Sequence, residues 1–459
     1  MRPIMRFKPV LLALAITAAM PGMAHAEDLM QAYQQARQND PQLALAEANT
    51  RSVHEGINQA RAALFPQIDA SLGLTQDNRG RSSGTYIDQS TGQLYMTPAT
   101  GYLRTRNLSL TLSQSVFDLS RYEDLKSAHA QADSQNSQYT AEEQNLLVRV
   151  ATAYFNVLTA KDQVAFSKAQ EKSLARELDQ AQQRFKVGLS AITDVQDAKA
   201  QHDSATAQLI SAQNALDDAR EALTQITGEP ARNLKVLRDE VPLQPPVPND
   251  VSDWVRTALQ NNPSIMAQRY NVDAADYQIS SARAGHLPTI SANVSYGKSS
   301  TWSENGTLNT STPSDTTFGL TLRVPIFSGG LVQSQVRQAI AQRDASKDGL
   351  ESQRRQTIRN TRNYFRSVIA GISEVEATRQ AVQSSQSALE ATEAGFKVGT
   401  RTIVDVLIGQ QNLTNAQQSY SRARHQFVLN QLLLKQAAGT ITVKDLQAVN
   451  ALLESPDGA

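Results

Sequence analysis

Phe185-Lys186-Val187-Gly188 is followed five residues later by Thr193-Asp194-Val195, and both stretches return. Phe396-Lys397-Val398-Gly399 and Val404-Asp405-Val406 stand 211 residues further on. Outward from this pair the repetition continues. Tyr154-Phe155 returns as Tyr364-Phe365 and Val116-Phe117 as Ile326-Phe327, at an offset of 210. Gln38-Asn39-Asp40-Pro41 returns as Gln260-Asn261-Asn262-Pro263, and Ala60-Arg61-Ala62 with Pro66 as Ala282-Arg283-Ala284 with Pro288, at 222. The 12-residue drop falls between residues 76 and 107, where a longer loop is expected in the first copy. Two unequal copies of about two hundred residues each mark a duplicated domain, not a short-period solenoid.

The glycines of these stretches end long helices. From about Tyr122 to Lys186 there is no proline or glycine, and apolar residues step by three and four: Leu147, Val150, Tyr154, Val157, then Leu174, Leu178, Ala181, Phe185. The second copy carries Ile358, Phe365, Val368, Ile372, Val375, Val382, Leu389 and Phe396. This is heptad spacing with frequent small or polar seam residues. About 65 residues at 1.5 Å each make a helix of roughly 100 Å. Return helices are expected from about Thr193 to Ile226 and from about Val404 to Ala438. Each copy thus ends in an antiparallel helix hairpin with a Val-Gly turn, Val187-Gly188 and Val398-Gly399.

Before the long helices the period changes to two. Pro66 and Pro288 stop a helix, and Ile68, Ala70, Leu72, Leu74 and Ile290, Ala292, Val294, Tyr296 alternate after them. Alternation resumes at Leu108, Leu110, Leu112 and at Phe318, Leu320, Leu322, Val324, Ile326, beyond polar loops read at 77–103 and 298–315. Strands of about ten residues suit a transmembrane β-barrel, and alternation equally suits a hairpin on a soluble core. Four strands cannot close a barrel, and lipid tolerates no open edge. If the hairpins are membranous, several chains share one barrel.

The cationic start (Arg2, Arg6, Lys8), the apolar run Val10 to Ala19 and Ala24-His25-Ala26 read as a removed signal peptide over 1–26. Removing three cations from 44 leaves 41 against 44 acids, a net charge near −3 that argues against nucleic-acid binding. With no cysteine, disulfides and thiolate metal sites are excluded, and no later stretch has the ~20 apolar residues of a spanning helix. Only 40% of residues are hydrophobic. That polarity suits a thin helical wall wet on both sides better than a compact core. No HExxH, G-x-S-x-G, GxGxxG or P-loop occurs, so no enzyme and no cofactor are expected. His54, His129, His202, His286 and His425 read as solvated helix positions.

Thr193 and Asp194 follow the first tip, Arg401 and Asp405 the second. A lone Asp after a turn is ordinarily a helix cap. An Asp at the same repeat position of both tips makes a functional ring equally plausible.

Ala391-Thr392-Glu393-Ala394-Gly395-Phe396-Lys397-Val398-Gly399-Thr400-Arg401-Thr402-Ile403-Val404-Asp405-Val406-Leu407 resembles the gate region of the TolC family, the outer-membrane exit ducts of Gram-negative efflux pumps and type I secretion systems. So do Gln183 to Gly188, Ala191 to Val195, Gly285-His286-Leu287-Pro288 and Pro325 to Gly330, and the likeness runs on through Leu446 and Leu452. The resemblance implies a mainly α fold with β: a homotrimeric 12-stranded outer-membrane β-barrel continued by a 12-helix periplasmic α-barrel, with two structural repeats per chain. Repeat 1 would cover 27–228, with strands about 66–76 and 106–116, a long helix about 120–187 and a tip turn 187–192. A Pro-rich strap follows at 229–250. Repeat 2 would cover 251–440, with strands about 288–298 and 316–326, a long helix about 331–397 and a tip turn 398–403, before a C-terminal segment 441–459.

Implied partners are a periplasmic adaptor, an inner-membrane pump of RND, MFS or ABC type, and outer-membrane lipid. Carried over, Thr193 and Asp194 are the partners of Arg401 in a network that shuts the tips, Asp405 forms a cation-binding ring at the constriction, and Val187, Gly188, Val398 and Gly399 meet the adaptor. Phe396 stands where the family has tyrosine in that network, and Ile408 replaces a second acidic ring. The competing class is a periplasmic coiled-coil scaffold that never enters a membrane.

Overall fold

The computed structural model describes residues 27–455 except 232, 304–305 and 308–313; the expected signal peptide and the last four residues lie outside the described residues. In chain order the elements are α1 (Leu29–Asn39), α2 (Pro41–Ala62), β1 (Gln67–Ile87), β2 (Leu94–Phe117), α3 (Leu119–Lys186), α4 (Ile192–Thr227), β3 (Val236–Leu237), α5 (Val251–Asn261), α6 (Pro263–Ala284), β4 (Thr289–Ser303), β5 (Gly306–Thr307), β6 (Ser314–Arg323), α7 (Leu331–Lys397), α8 (Ile403–Ala437), α9 (Val443–Asn450) and β7 (Leu453–Glu454).

The repeated Asx-Pro pairs start helices. Asp40 accepts from Gln42 N, and Asn262 accepts from Ser264 N and Ile265 N, with proline at the first helical position of α2 and α6. Arg149 of α3 reaches Asp40 and Glu142 and ties α2 to α3. At 68 and 67 residues, α3 and α7 are each about 100 Å long. Both end in the same device. Gly188 (φ 73°) and Gly399 (φ 82°) take the left-handed conformation. Leu189 N donates to Arg184 O and Gly188 N to Phe185 O, and Thr400 N and Gly399 N repeat the pattern onto Gly395 O and Phe396 O.

The large side chains gather at the waist. Tyr154, Phe155, Leu146, Leu158, Phe427, Leu434 and Leu446 belong to one buried cluster. A strap clamps it. β3 pairs with β7, Glu27 bridges to Leu234, and the Tyr154 hydroxyl donates to Glu27 O (3.1 Å) and Lys235 O (2.9 Å). The two copies meet along α3, which packs on α6 above and α8 below. There the seam is too narrow for large residues: Ser127 and Ser134 donate to Ala274 O and Ala267 O. His425 is no solvated helix position. Its Nδ1 lies 2.8 Å from Thr159 Oγ1, its ring 5.6 Å from that of Phe155, and it is 3% exposed, because Phe427, Val428 and Leu429 bury α8 almost all round at this level.

The main sheet is antiparallel in the order β1-β2-β4, with β6 paired along the first part of β4 and the two-residue β5 paired to its far end. β1 and β2, at 21 and 24 residues, run far beyond the ten-residue strands expected, and their ladder crosses most of the stretch read as a loop, to Ile87↔Leu94. β4 likewise continues to Ser303. Backbone pairing needs no apolar alternation, so the ladder persists where the side-chain pattern has lapsed. In the half nearest the helices most side chains sort by face. Ile68↔Leu112↔Val294↔Phe318 form one cross-strand row, and Asp69↔Thr111↔Ser295↔Thr317 form the adjacent row on the other face. The outer edges of β1 and β6 carry no strand partner among the described residues.

Candidate functional site

Two regions can carry function, the helix tips and the sheet. At the tips, apolar packing is thin: Leu174 of α3, Ala205 of α4, and Ile403 and Leu407 of α8 form one small cluster, and Leu389, Val406 and Leu413 another. Phe396 is packed against both. It is therefore the shared side chain of the two hairpins. Above its ring lies the guanidinium of Arg184, from the last turn of α3, 5.1 Å from the centroid. Sequence reasoning missed Arg184. The signal was available, since the equivalent position in the second copy is Gly395, whose missing side chain leaves room for Arg401: a Cβ there would lie 2.7 Å from Arg401 Cγ.

Arg401 makes no hydrogen bond or ion pair to Thr193 or Asp194 within the chain. Thr193 and Arg401 are exposed and Asp194 half-buried. Asp405 and Asp194 differ despite their shared repeat position. Asp405 closes a capping box: its Oδ2 accepts from Thr402 N and Oγ1, both at 2.9 Å, and its N–H donates to Thr402 Oγ1 at 3.3 Å. The Thr402 N–H, then its hydroxyl, hold the Asp405 carboxyl below the usual carboxylate range. In the first copy Ala191 occupies the cap and offers no side-chain bond, so Asp194 is not drawn into one. Val187 and Val398 are exposed at the turns. Deeper between the hairpins, Glu177 is pushed up by burial first and then by the like charge of Glu393. Among the described residues no group of acidic, His or Cys side chains is arranged to hold a metal ion.

The sheet offers lipid an apolar face. Ile68, Leu72, Leu74, Leu108, Leu110, Phe318, Leu320 and Leu322 are all exposed, an arrangement that water would penalise. The opposite face is mostly Ser, Thr, Asn and Asp, with Gly73, Gly297 and Gly319 among them. No helix among the described residues is long and apolar enough to cross a membrane.

Such a sheet, fused to helices about 100 Å long, is the architecture of an outer-membrane channel subunit extending into the periplasm. Comparison with known proteins agrees. The family described as outer membrane efflux protein matches residues 32–229 and 254–440. The chain is 38% identical to Outer membrane protein TolC of Escherichia coli (strain K12) over 456 residues, covering 98% of this chain and 89% of that one. It is 30% identical to the alkaline protease secretion protein AprF of Pseudomonas aeruginosa over 432 residues, covering 93% and 88%. The Campylobacter jejuni CmeC outer membrane channel shares the fold, with a TM-score of 0.75 at 18% identity over 93% of this chain and 90% of that one. This chain belongs to the outer membrane efflux protein family, in the TolC branch.

Proposed function

We propose that the chain is one third of a homotrimeric duct through which substrates leave the periplasm, in drug efflux, type I protein secretion or both. The carrying observation is the sheet of four long strands, β1, β2, β4 and β6, with one apolar face, one polar face and two edges that carry no strand partner among the described residues. In lipid those edges must close on other copies. Three chains then supply 12 strands, enough for a barrel with a water-filled interior. The long hairpins continue this wall as a 12-helix tunnel. Export of both kinds is supported by the family's description as outer membrane efflux protein and by a relative named as an alkaline protease secretion protein.

In this reading the tips are the gate. They face a periplasmic adaptor through Val187, Gly188, Val398 and Gly399, and an inner-membrane pump of RND, MFS or ABC type supplies the substrate. Asp405 rings the constriction as a cation site. Arg401, which makes no ion pair among the described residues and feels Asp405 only through its field, has Thr193 and Asp194 as its acceptors when the tips are shut; Arg401→Ser should raise single-channel conductance.

Fractionation with native mass spectrometry tests the assembly. Heat-resistant trimers recovered from outer membranes only in detergent, conducting in planar bilayers, are the expected result. Soluble periplasmic monomers would overturn it.

A further inference from the structure

Arg184 is the one cation at the tips seated on an aromatic ring of the other hairpin, among the described residues. No carboxylate lies within ion-pair distance of it there. Its guanidinium instead rests 5.1 Å from the Phe396 centroid, within cation–π range. The two residues come from different copies of the duplication: Arg184 from the last turn of α3, Phe396 from the last turn of α7. The arrangement is not mirrored. The counterpart of Phe396 is Phe185, which is exposed, and the counterpart of Arg184 is Gly395, which has no side chain to stack. Each chain therefore has one such contact, and its asymmetry ties hairpin to hairpin.

We propose that Arg184 stacked on Phe396 is the clasp that holds the two tips of each chain together in the closed duct. This rests on the gated-duct reading above. A phenylalanine has no hydroxyl with which to join a hydrogen-bonded lock. Its ring face is nevertheless a cation acceptor, and Arg suits that face better than Lys because its planar guanidinium stacks and is weakly hydrated. The ring is packed on its own hairpin by Ile403, Leu407, Leu389 and Val406, so it stays with α7 and α8 rather than following the arginine when the hairpins part. Opening must break the contact in every chain. Arg184 is thus a positioning residue of the gate, acting through Phe396.

The test is single-channel recording of purified trimers carrying Arg184→Gln, Arg184→Lys, Phe396→Leu, Phe396→Tyr and the Arg184→Gln/Phe396→Leu double substitution. Trimer mass and thermal midpoint are measured on each. Arg184→Gln and Phe396→Leu should each raise open probability at least about fivefold. The double variant should open no further than the more open single, since both remove one interaction. Arg184→Lys should be intermediate, and Phe396→Tyr, which keeps the ring face, should stay closed. If Phe396→Leu opens the channel and Arg184→Gln does not, the ring acts by packing alone and the clasp is wrong. Independent, additive effects would also overturn it. A wild-type protein that forms no trimer and no channel would instead sink the duct reading.

Discussion

Gly371 of α7 lies flat against Phe427 of α8: a Cβ on Gly371 would stand 3.2 Å from Phe427 Cδ2. Phe427 is buried to 1% exposure in the waist cluster, so the ring has nowhere to retreat. The two helices of the second hairpin approach this closely only because residue 371 has no side chain. Gly371→Leu should overpack the seam and cost about 1–3 kcal/mol. Gly371→Ala should be close to neutral, because about 1 kcal/mol of helix propensity offsets the tight contact. Thermal unfolding of detergent-solubilised protein checks both. Equal midpoints for wild type and the leucine variant would mean the waist is looser than this packing requires.

His425 sets an acid limit on stability. Burial first, then the neighbouring Arg424, push its imidazole down to about 3, against about 6.5 for a free histidine. Below the free value the unfolded chain takes up a proton that the folded chain refuses. Stability therefore falls as pH drops from about 6.5 towards 3, and is indifferent to this group above that window. Nearby Asp162 works the other way, since burial raises its carboxyl, so the wild-type slope alone is ambiguous. The difference between wild type and His425→Gln isolates the histidine. Unfolding midpoints should converge at acid pH and separate at neutral pH, where the variant loses the hydrogen bond to Thr159.

The helices were legible because their signals are local. Asp40-Pro41 and Asn262-Pro263 start helices, the glycines after Phe185-Lys186-Val187 and Phe396-Lys397-Val398 stop them, and no breaker intervenes in α3. The upper halves of β1 and β2 were hidden, since their pairing rests on backbone bonds rather than on an apolar period. His425 was hidden for a related reason: a helix packed almost all round shows no polar face to mark what is buried. At the tips the residue types were readable but not their partners. Asp405 reads alike as a cap or as a ring of charge, and only the folded tip puts Thr402 on it. Arg184 sits beside a repeated Phe, yet its partner is the other copy's Phe, 212 positions away.

Asp405 can serve as cap and as pore charge together. Its Oδ2 is committed to Thr402, and the side chain remains only half-buried, so its negative field still reaches solvent. Trivalent cations should block the wild-type channel, and Asp405→Asn should weaken that block severalfold. Because the folded carboxyl titrates below its usual range, block should persist as pH falls to about 4, the ordinary carboxylate value, and fail only below it. The capping stabilisation follows the same sign, present above the unfolded value and lost as pH falls through the folded one. Undiminished block in Asp405→Asn would place the cation site elsewhere.

Leu110 and Leu320 decide which face of the sheet meets lipid. Leu110 is central among Leu108, Leu110 and Leu112, and Leu320 among Phe318, Leu320 and Leu322. Strands in a barrel are tilted, so depth is judged along each strand rather than across the cross-strand rows. Both leucines are exposed in the single chain, at 45% and 73%. Thr111 and Thr321, one residue on, point to the polar face beside Ser295 and Ser291. Lys at Leu110 or Leu320 should cost about 2–4 kcal/mol per site if these residues sit near the bilayer midplane, while Lys at Thr111 or Thr321 faces water and should be tolerated. Folding into vesicles under a denaturant gradient gives the four values directly. Equal tolerance at all four positions would mean the sheet does not lie in a membrane. A reversed pattern would turn the barrel inside out and place the leucines in the lumen.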